Sequence, residues 1–211
     1  MPKFNVNICP VCGSSLFSPF ITCKDFFVTG KTFDIIKCNG CGLKITSNIE
    51  PEENAGKYYN SDEYISHSNT DTGFINQIYH LVRGYMLGRK RKLIEKISLT
   101  DSGTLLDIGA GTGFFLNEMK KHGWEVSGTE KSDNARNFAK EKFNLNINLP
   151  SDISGLPEKK FRIVTLWHVL EHIYDLNGYI KQLIKLMADD GFLIIAVPNS
   201  NSFDASYYKQ F

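Results

Sequence analysis

Residues 104–115 read TLLDIGAGTGFF, an apolar run that ends in an acidic residue and then opens into glycines at 109, 111 and 113. TLLDIG has the composition of a buried β-strand, and FFLNEMKKHG, which follows it, has the spacing of a helix that stops at Gly123. Glycines at a strand-to-helix turn let the backbone bend tightly and let a ligand approach without a Cβ in the way. The spacing here is Gly-x-Gly-x-Gly with Phe114 behind it. A nicotinamide or flavin dinucleotide fold would use Gly-x-Gly-x-x-Gly.

Working outward, WEVSGTE (124–130) reads as a second strand, and SDNARNFAKEKF (132–143) as a helix capped by Ser132. INL (147–149) reads as a short third strand and FRIVTLW (161–167) as a fourth. LNGYIKQLIKLM (176–187) is helical in spacing, and GFLIIAVP (191–198) is a fifth strand closed by Pro198. Short apolar runs alternating with amphipathic stretches predict a parallel sheet flanked by helices, an α/β architecture. Upstream, FINQIYHLVRGYMLGRKRKLIEKI (74–97) predicts one helix weakened in the middle by Gly84 and Gly88. Residues 51–73 are polar and turn-forming, with Tyr58, Tyr59 and Tyr64 interleaved as candidate walls of an acceptor pocket. The expected organisation is a cysteine-bearing β module over 1–50, a connector and helix over 51–98, and an α/β domain over 99–211.

DIGAGTG, then GTE (128–130), SDISGLP (151–157) and VTLWHVLEH (164–172), stand in the order seen in class I S-adenosylmethionine-dependent methyltransferases, which residues 100 to 200 or so resemble. The resemblance implies a Rossmann-like sheet that binds S-adenosyl-L-methionine. It places Asp107, Gly109, Ala110, Gly111 and Gly113 around the methionine part and the ribose, and gives Glu130 the two ribose hydroxyls. Such a carboxylate, as an ionised acceptor, can take both in a bidentate hydrogen bond. Asp152 and the Ile153 backbone amide fall where that family contacts the adenine, and Trp167 falls at the tip of the fourth strand. One position departs from the pattern: many relatives have Phe-Asp where this chain has Phe161-Arg162.

His168, Glu171 and His172 spell His-x-x-Glu-His, which on a helix would put both histidines on one face, as a zinc peptidase requires. The context opposes that reading, because these residues follow an apolar strand and, beyond the adjacent Asp175, only Asp189, Asp190 and Asp204 are acidic candidates for a third ligand well downstream. In the methyltransferase reading the fourth strand delivers Trp167 and His168 to the carboxyl edge of the sheet, where open α/β folds bind their ligands. His168 is then the first candidate base, since imidazole titrates near neutrality. Glu171 and His172 are candidates for the same site or for stabilising a helix start.

Cys9-Pro-Val-Cys12-Gly and Cys38-Asn-Gly-Cys41-Gly are two Cys-x-x-Cys knuckles, each followed by glycine. Four thiolates around one ion at about 2.3 Å form the closed shell of a structural zinc site. Cys23 is left over as a packed thiol, and iron in a rubredoxin-like site is the competing metal. The segment resembles a zinc ribbon, and such modules precede class I methyltransferase domains in bacterial enzymes related to sugar C-methyltransferases.

Lys and Arg number 24 against 23 Asp and Glu, so the formal charge of +1 supplies no bulk attraction to nucleic acid or anionic membrane. The Arg89–Lys92 run is the one basic cluster that an RNA substrate could use, and it reads first as a solvated helix face. No run approaches the roughly 18 apolar residues that span a bilayer, and the start MPKFNVNICP lacks the apolar stretch of a signal peptide, so a cytoplasmic protein is expected. Class I methyltransferases close their sheet with two further strands, and the 13 residues after Pro198 leave no room for them. An incomplete sheet is therefore expected, with an edge open to pairing with a second copy. The expected function is methyl transfer to a small molecule, such as a sugar derivative. The alternatives are a non-catalytic S-adenosylmethionine-binding module and an RNA methyltransferase that uses the zinc ribbon for contact.

Overall fold

The structure, a computed structural model, describes residues 6–26, 29–52, 54 and 74–208. The connector tyrosines Tyr58, Tyr59 and Tyr64 lie outside the described residues. The chain divides into two compact units, one of residues 1–67 with 199–211 and one of residues 68–198. The long helix thus groups with the sheet, and residues 199–211 group with the cysteine module, where the sequence placed boundaries at 50 and 98.

The first unit carries an antiparallel sheet of β1 (Phe17–Lys24), β2 (Thr32–Cys38) and β3 (Lys44–Thr46), with β2 in the centre. A bulge between Pro19 and Ile21 shifts the register of β1 on β2, as expected where proline removes a ladder donor. Lys44 packs its ammonium 4.2 Å from the Phe20 ring and donates to Ser200 Oγ at 2.8 Å.

The second unit opens with α1 (Phe74–Ser98), a single unbroken helix. Gly84 and Gly88 cost about 1 kcal/mol each in a helix interior, yet Leu87 and Ile94 anchor the same helix in the core. Then come β4 (Gly103–Ile108), α2 (Phe114–Lys121), β5 (Trp124–Thr129), α3 (Asp133–Phe143), β6 (Phe161–Trp167), α4 (Leu176–Leu186) and β7 (Met187–Ala196). All four strands are parallel, in the order β5-β4-β6-β7. Strand alternation splits the core in two. Leu105 and Ile163 join Ile94, Phe115, Leu116, Met119 and Ala139, whereas Leu106, Ile108, Val164 and Leu166 join Ile153, Leu183 and Leu186. Ser132 caps α3 as the sequence predicts, accepting from the Ala135 N–H at 3.3 Å.

Two expectations fail. INL forms no third strand: Asn148 alone bridges to Thr129, exchanging bonds with Gly128 O and Glu130 N before Pro150 turns the chain into a 3-10 segment, Pro150–Gly155. Nor do Glu171 and His172 stand at the start of an α-helix, one of the two roles read for them, and His168 directly follows β6. They occupy a tight turn with a 3-10 stretch at Leu170–His172, and α4 starts only at Leu176, where Asp175 accepts from the Gly178 N–H at 3.0 Å.

The order of the strands locates a crevice. β4 and β6 are neighbours, but β4 leads into α2 on one face of the sheet and β6 leads toward α4 on the other. Adjacent strands whose exits part in this way leave a ligand-sized opening at their carboxyl ends.

Candidate functional site

The glycine loop leaves β4 at that crevice, and Gly109, Gly111 and Gly113 all take left-handed backbone angles, with φ of 68°, 53° and 77°. Gly109 has no room for a side chain, because a Cβ there would lie 2.5 Å from Val169 Cγ2 in the turn after β6. At Gly111 the same position is open, with nothing within 4 Å. The loop is laced to the end of β5: the Ala110 N–H donates to Thr129 O at 2.9 Å, and the Gly111 N–H to Glu130 Oε2 at 2.9 Å. Gly113 serves as N-cap of α2 without a side chain to satisfy the helix start.

Glu130 is the hinge of this arrangement. Its Oε1 accepts from the Ser132 N–H at 2.8 Å while Oε2 holds the loop, so both carboxylate oxygens are fixed by backbone and each retains acceptor capacity. Beneath the loop, Asp107 is 2% exposed and accepts from Thr165 Oγ1 at 2.6 Å. Burial pushes its carboxyl up to about 7, against the opposing effects of the Thr165 hydrogen bond and the Lys90 charge, with Glu130 adding to the rise. Asp107 is therefore a buried support under the loop.

Lys90 is the residue that sequence reasoning missed. Its ammonium lies 4.2 Å from the Trp167 ring and 5.8 Å from that of Phe115, and burial lowers its pKa while Asp107 raises it. By sequence the Arg89–Lys92 run reads as a solvated face, and the structure corrects that at Lys90. The signal that could have found Lys90 is its spacing from Leu87 and Ile94, three before and four after, which places it on the core stripe of α1. Arg91 is likewise engaged, to Glu95 at 2.7 Å and Glu118 at 3.2 Å, so the run is not a free basic patch.

The remaining predicted residues separate. Trp167 meets Phe115 edge to face at 5.7 Å and keeps a buried Nε1–H with no hydrogen-bond partner. Thr129 Oγ1 is also buried without a partner. Buried polar atoms of this kind are groups that a polar ligand could satisfy. Asp152 points part of its carboxylate back at the Leu149 N–H, 3.1 Å away, and so caps its own 3-10 turn, while Ile153 is a core side chain. His168 stands at the exit of β6 with φ of 59°, its Nδ1 3.7 Å from Glu171 Oε1. The His172 N–H donates to Val169 O at 2.9 Å, closing the turn.

In the first unit, Cys9, Cys12, Cys38 and Cys41 bring four sulfurs within 4.8 Å of one another. Cys9 and Cys38 are buried, Cys12 and Cys41 exposed. The two knuckles are alike: the Gly13 N–H donates to Cys9 O and the Gly42 N–H to Cys38 O, both at 2.9 Å. Backbone N–H groups of Ser14, of Cys41 and Gly40, and of Leu43 reach the sulfurs of Cys12, Cys38 and Cys41 respectively. Those of Cys41 and Gly40, with burial opposing, lower the Cys38 thiol to about 6. Cys23 stands apart in β1.

Comparison with known proteins agrees with this geometry. A family model described as a methyltransferase domain matches residues 82–211. A Coxiella burnetii protein named ubiquinone biosynthesis O-methyltransferase is 33% identical over 123 residues, covering 56% of this chain and 52% of that protein. An uncharacterized methyltransferase of Staphylococcus carnosus is 28% identical over 121 residues, covering 56% and 57%. The chain spans about half the length of the curated relatives it matches. Among solved structures, a Methanococcus maripaludis chain provisionally assigned as an S-adenosyl-L-methionine-dependent methyltransferase superposes with a TM-score of 0.50 at 12% identity. That match covers 67% of this chain and 73% of the other, and shows the fold alone. With more than half of its residues matched by the family model and a glycine loop at the crevice of a Rossmann-like parallel sheet, the chain belongs to the methyltransferase-domain family.

Proposed function

We propose that the second unit binds S-adenosyl-L-methionine and transfers its methyl group to a small-molecule acceptor. The observation that carries this reading is Glu130, whose two carboxylate oxygens are aimed by the Gly111 and Ser132 amides and keep lone pairs for a ribose diol. Gly111 leaves the space that a nucleoside needs at that point. Asp152 and the backbone at Ile153 would border the adenine, and Lys90, beside the Trp167 ring, supplies a cation for a carboxylate. When bound, S-adenosylmethionine supplies an electrophilic methyl carbon, whose bond to sulfur breaks with its electron pair retained by sulfur as an acceptor lone pair takes the carbon. The chain's part is alignment, which can lower a barrier by about 7–11 kcal/mol, and removal of a proton from the acceptor, for which His168 is the candidate base.

The Coxiella relative's name supports an oxygen acceptor, and the resemblance of the cysteine module supports a sugar derivative as the substrate. Calorimetry with S-adenosylmethionine tests the cofactor site. The chain should bind, and Glu130→Ala should weaken binding at least tenfold; equal affinity in the variant would defeat the reading. Release of S-adenosylhomocysteine on adding an acceptor separates an enzyme from a non-catalytic binding module.

The four cysteines of the first unit hold a structural zinc ion. Sγ–Sγ distances of 3.6 Å for Cys9–Cys41 and 3.5 Å for Cys12–Cys38 are close to the edge of about 3.8 Å that a tetrahedron with 2.3 Å Zn–S bonds requires. The amides directed at sulfur stabilise thiolates in such a shell. Zinc and iron differ in colour and mass, so metal analysis with an absorption spectrum decides between them.

A further inference from the structure

We propose, resting on the methyl-transfer reading, that Glu171 is a positioning residue that fixes the tautomer of His168, leaving Nε2 free to accept a proton from the methyl acceptor. The motif was legible as His-x-x-Glu-His, but its geometry is that of a strained turn. His168 is a non-glycine residue with φ of 59°, a left-handed conformation that side-chain-bearing residues enter at an energetic cost.

Three contacts impose it. The His168 N–H donates to Ala196 O at 2.9 Å, tying the turn to the end of β7. Val169 seats its Cγ2 on the bare backbone of Gly109, where no side chain would fit. The Val169 carbonyl accepts from the His172 N–H at 2.9 Å. The residue after His168 is thereby seated on the glycine loop, and the His168 backbone is fixed at the carboxyl end of the sheet.

The side chain has one charged neighbour in the turn. His168 Nδ1 is 3.7 Å from Glu171 Oε1, and the side chains are 65% and 23% exposed respectively, both residues lying on the surface of the turn. The carboxylate is the less exposed partner and the ring is open to an incoming molecule. The separation is longer than a hydrogen bond, so the carboxylate acts by its charge, which favours the Nδ1–H tautomer and leaves the lone pair on Nε2. The acceptor's proton passes to Nε2, its bonding electron pair stays on the reacting atom, and Glu171 stabilises the imidazolium that forms. This is the logic by which a buried carboxylate orients a catalytic histidine in hydrolytic triads.

Long-range proton–nitrogen correlation spectra of the nitrogen-15-labelled chain test the assignment at about pH 9, where imidazoles are neutral. His168 should carry its proton on Nδ1 in the wild-type chain and on Nε2 in Glu171→Ala. Protonation on Nε2 in the wild type overturns the proposal without any variant, and so does an Nδ1 proton that survives Glu171→Ala. Calorimetry with S-adenosylmethionine on the same samples keeps the two readings apart. Binding together with an Nε2 proton in the wild type defeats the dyad alone, whereas an Nδ1 proton without binding supports the dyad and defeats the methyl-donor reading alone.

Discussion

Asp107 shows how a single buried carboxylate can couple a glycine loop, stability and pH. Its carboxyl is pushed up to about 7 chiefly by burial, so the folded chain holds that proton more tightly than the unfolded chain does. The stability this contributes is fully present below the ordinary carboxylate range, near pH 4, and is lost as pH rises to about 7. Asp107→Asn keeps an acceptor for Thr165 Oγ1 and removes the charge. Denaturant unfolding from pH 4 to pH 8 should show wild type losing stability relative to the variant as pH rises; a constant difference would show that Asp107 does not titrate there. Gly109 makes a steric rather than electrostatic demand. Gly109→Ala places a Cβ at 2.5 Å from Val169 Cγ2 in a left-handed residue, so it should destabilise the second unit by roughly 2–3 kcal/mol. Val169→Ala in the same chain should recover only the clash, which thermal unfolding of the single and double variants would show.

At the scale of elements, Arg162 explains the departure from the Phe-Asp pattern. It pairs with Asp190 in β7 at 2.5 Å and donates to Ser98 O at 3.2 Å, the last residue of α1, so β6 ties down both an edge strand and a helix end. Helix C-termini are stabilised by such cations. Arg162→Ala should cost about 1 kcal/mol by chemical denaturation, with S-adenosylmethionine affinity unchanged; a loss of affinity would mean that the residue reaches the site. What was legible in the sequence, and what was not, divides at this scale. The helices and the strands of the second unit that pair along their length announce themselves through local periodicity, as does the glycine loop, because burial of one face is written into neighbouring residues. INL failed because two apolar residues flanking an asparagine before a proline do not determine pairing, and only Asn148 found a partner. The turn at Leu170–His172 failed because its shape comes from Val169 on Gly109, some sixty residues away in sequence. Lys90 was hidden by its basic neighbours, although its own helical phase pointed inward.

For the whole molecule, the two units draw on different sources of stability. The second has two apolar clusters flanking a parallel sheet, so burial of apolar surface supports its fold. In the first, Cys9 and Cys38 are the only buried hydrophobic residues among those described, so burial of apolar surface supplies little there. A structural zinc site contributes about 10–16 kcal/mol of apparent binding free energy, enough to decide whether such a module folds. Removing the metal with a strong chelator should therefore collapse the amide spectrum of residues 6–50 while the second unit retains its unfolding transition and its affinity for S-adenosylmethionine. Cys38→Ser should act in the same direction by removing a buried ligand. A metal-free chain that kept dispersed amide signals for β1, β2 and β3 would show that the strand pairings and the bonds around the knuckles suffice, and that the four sulfurs converge without an ion to hold them.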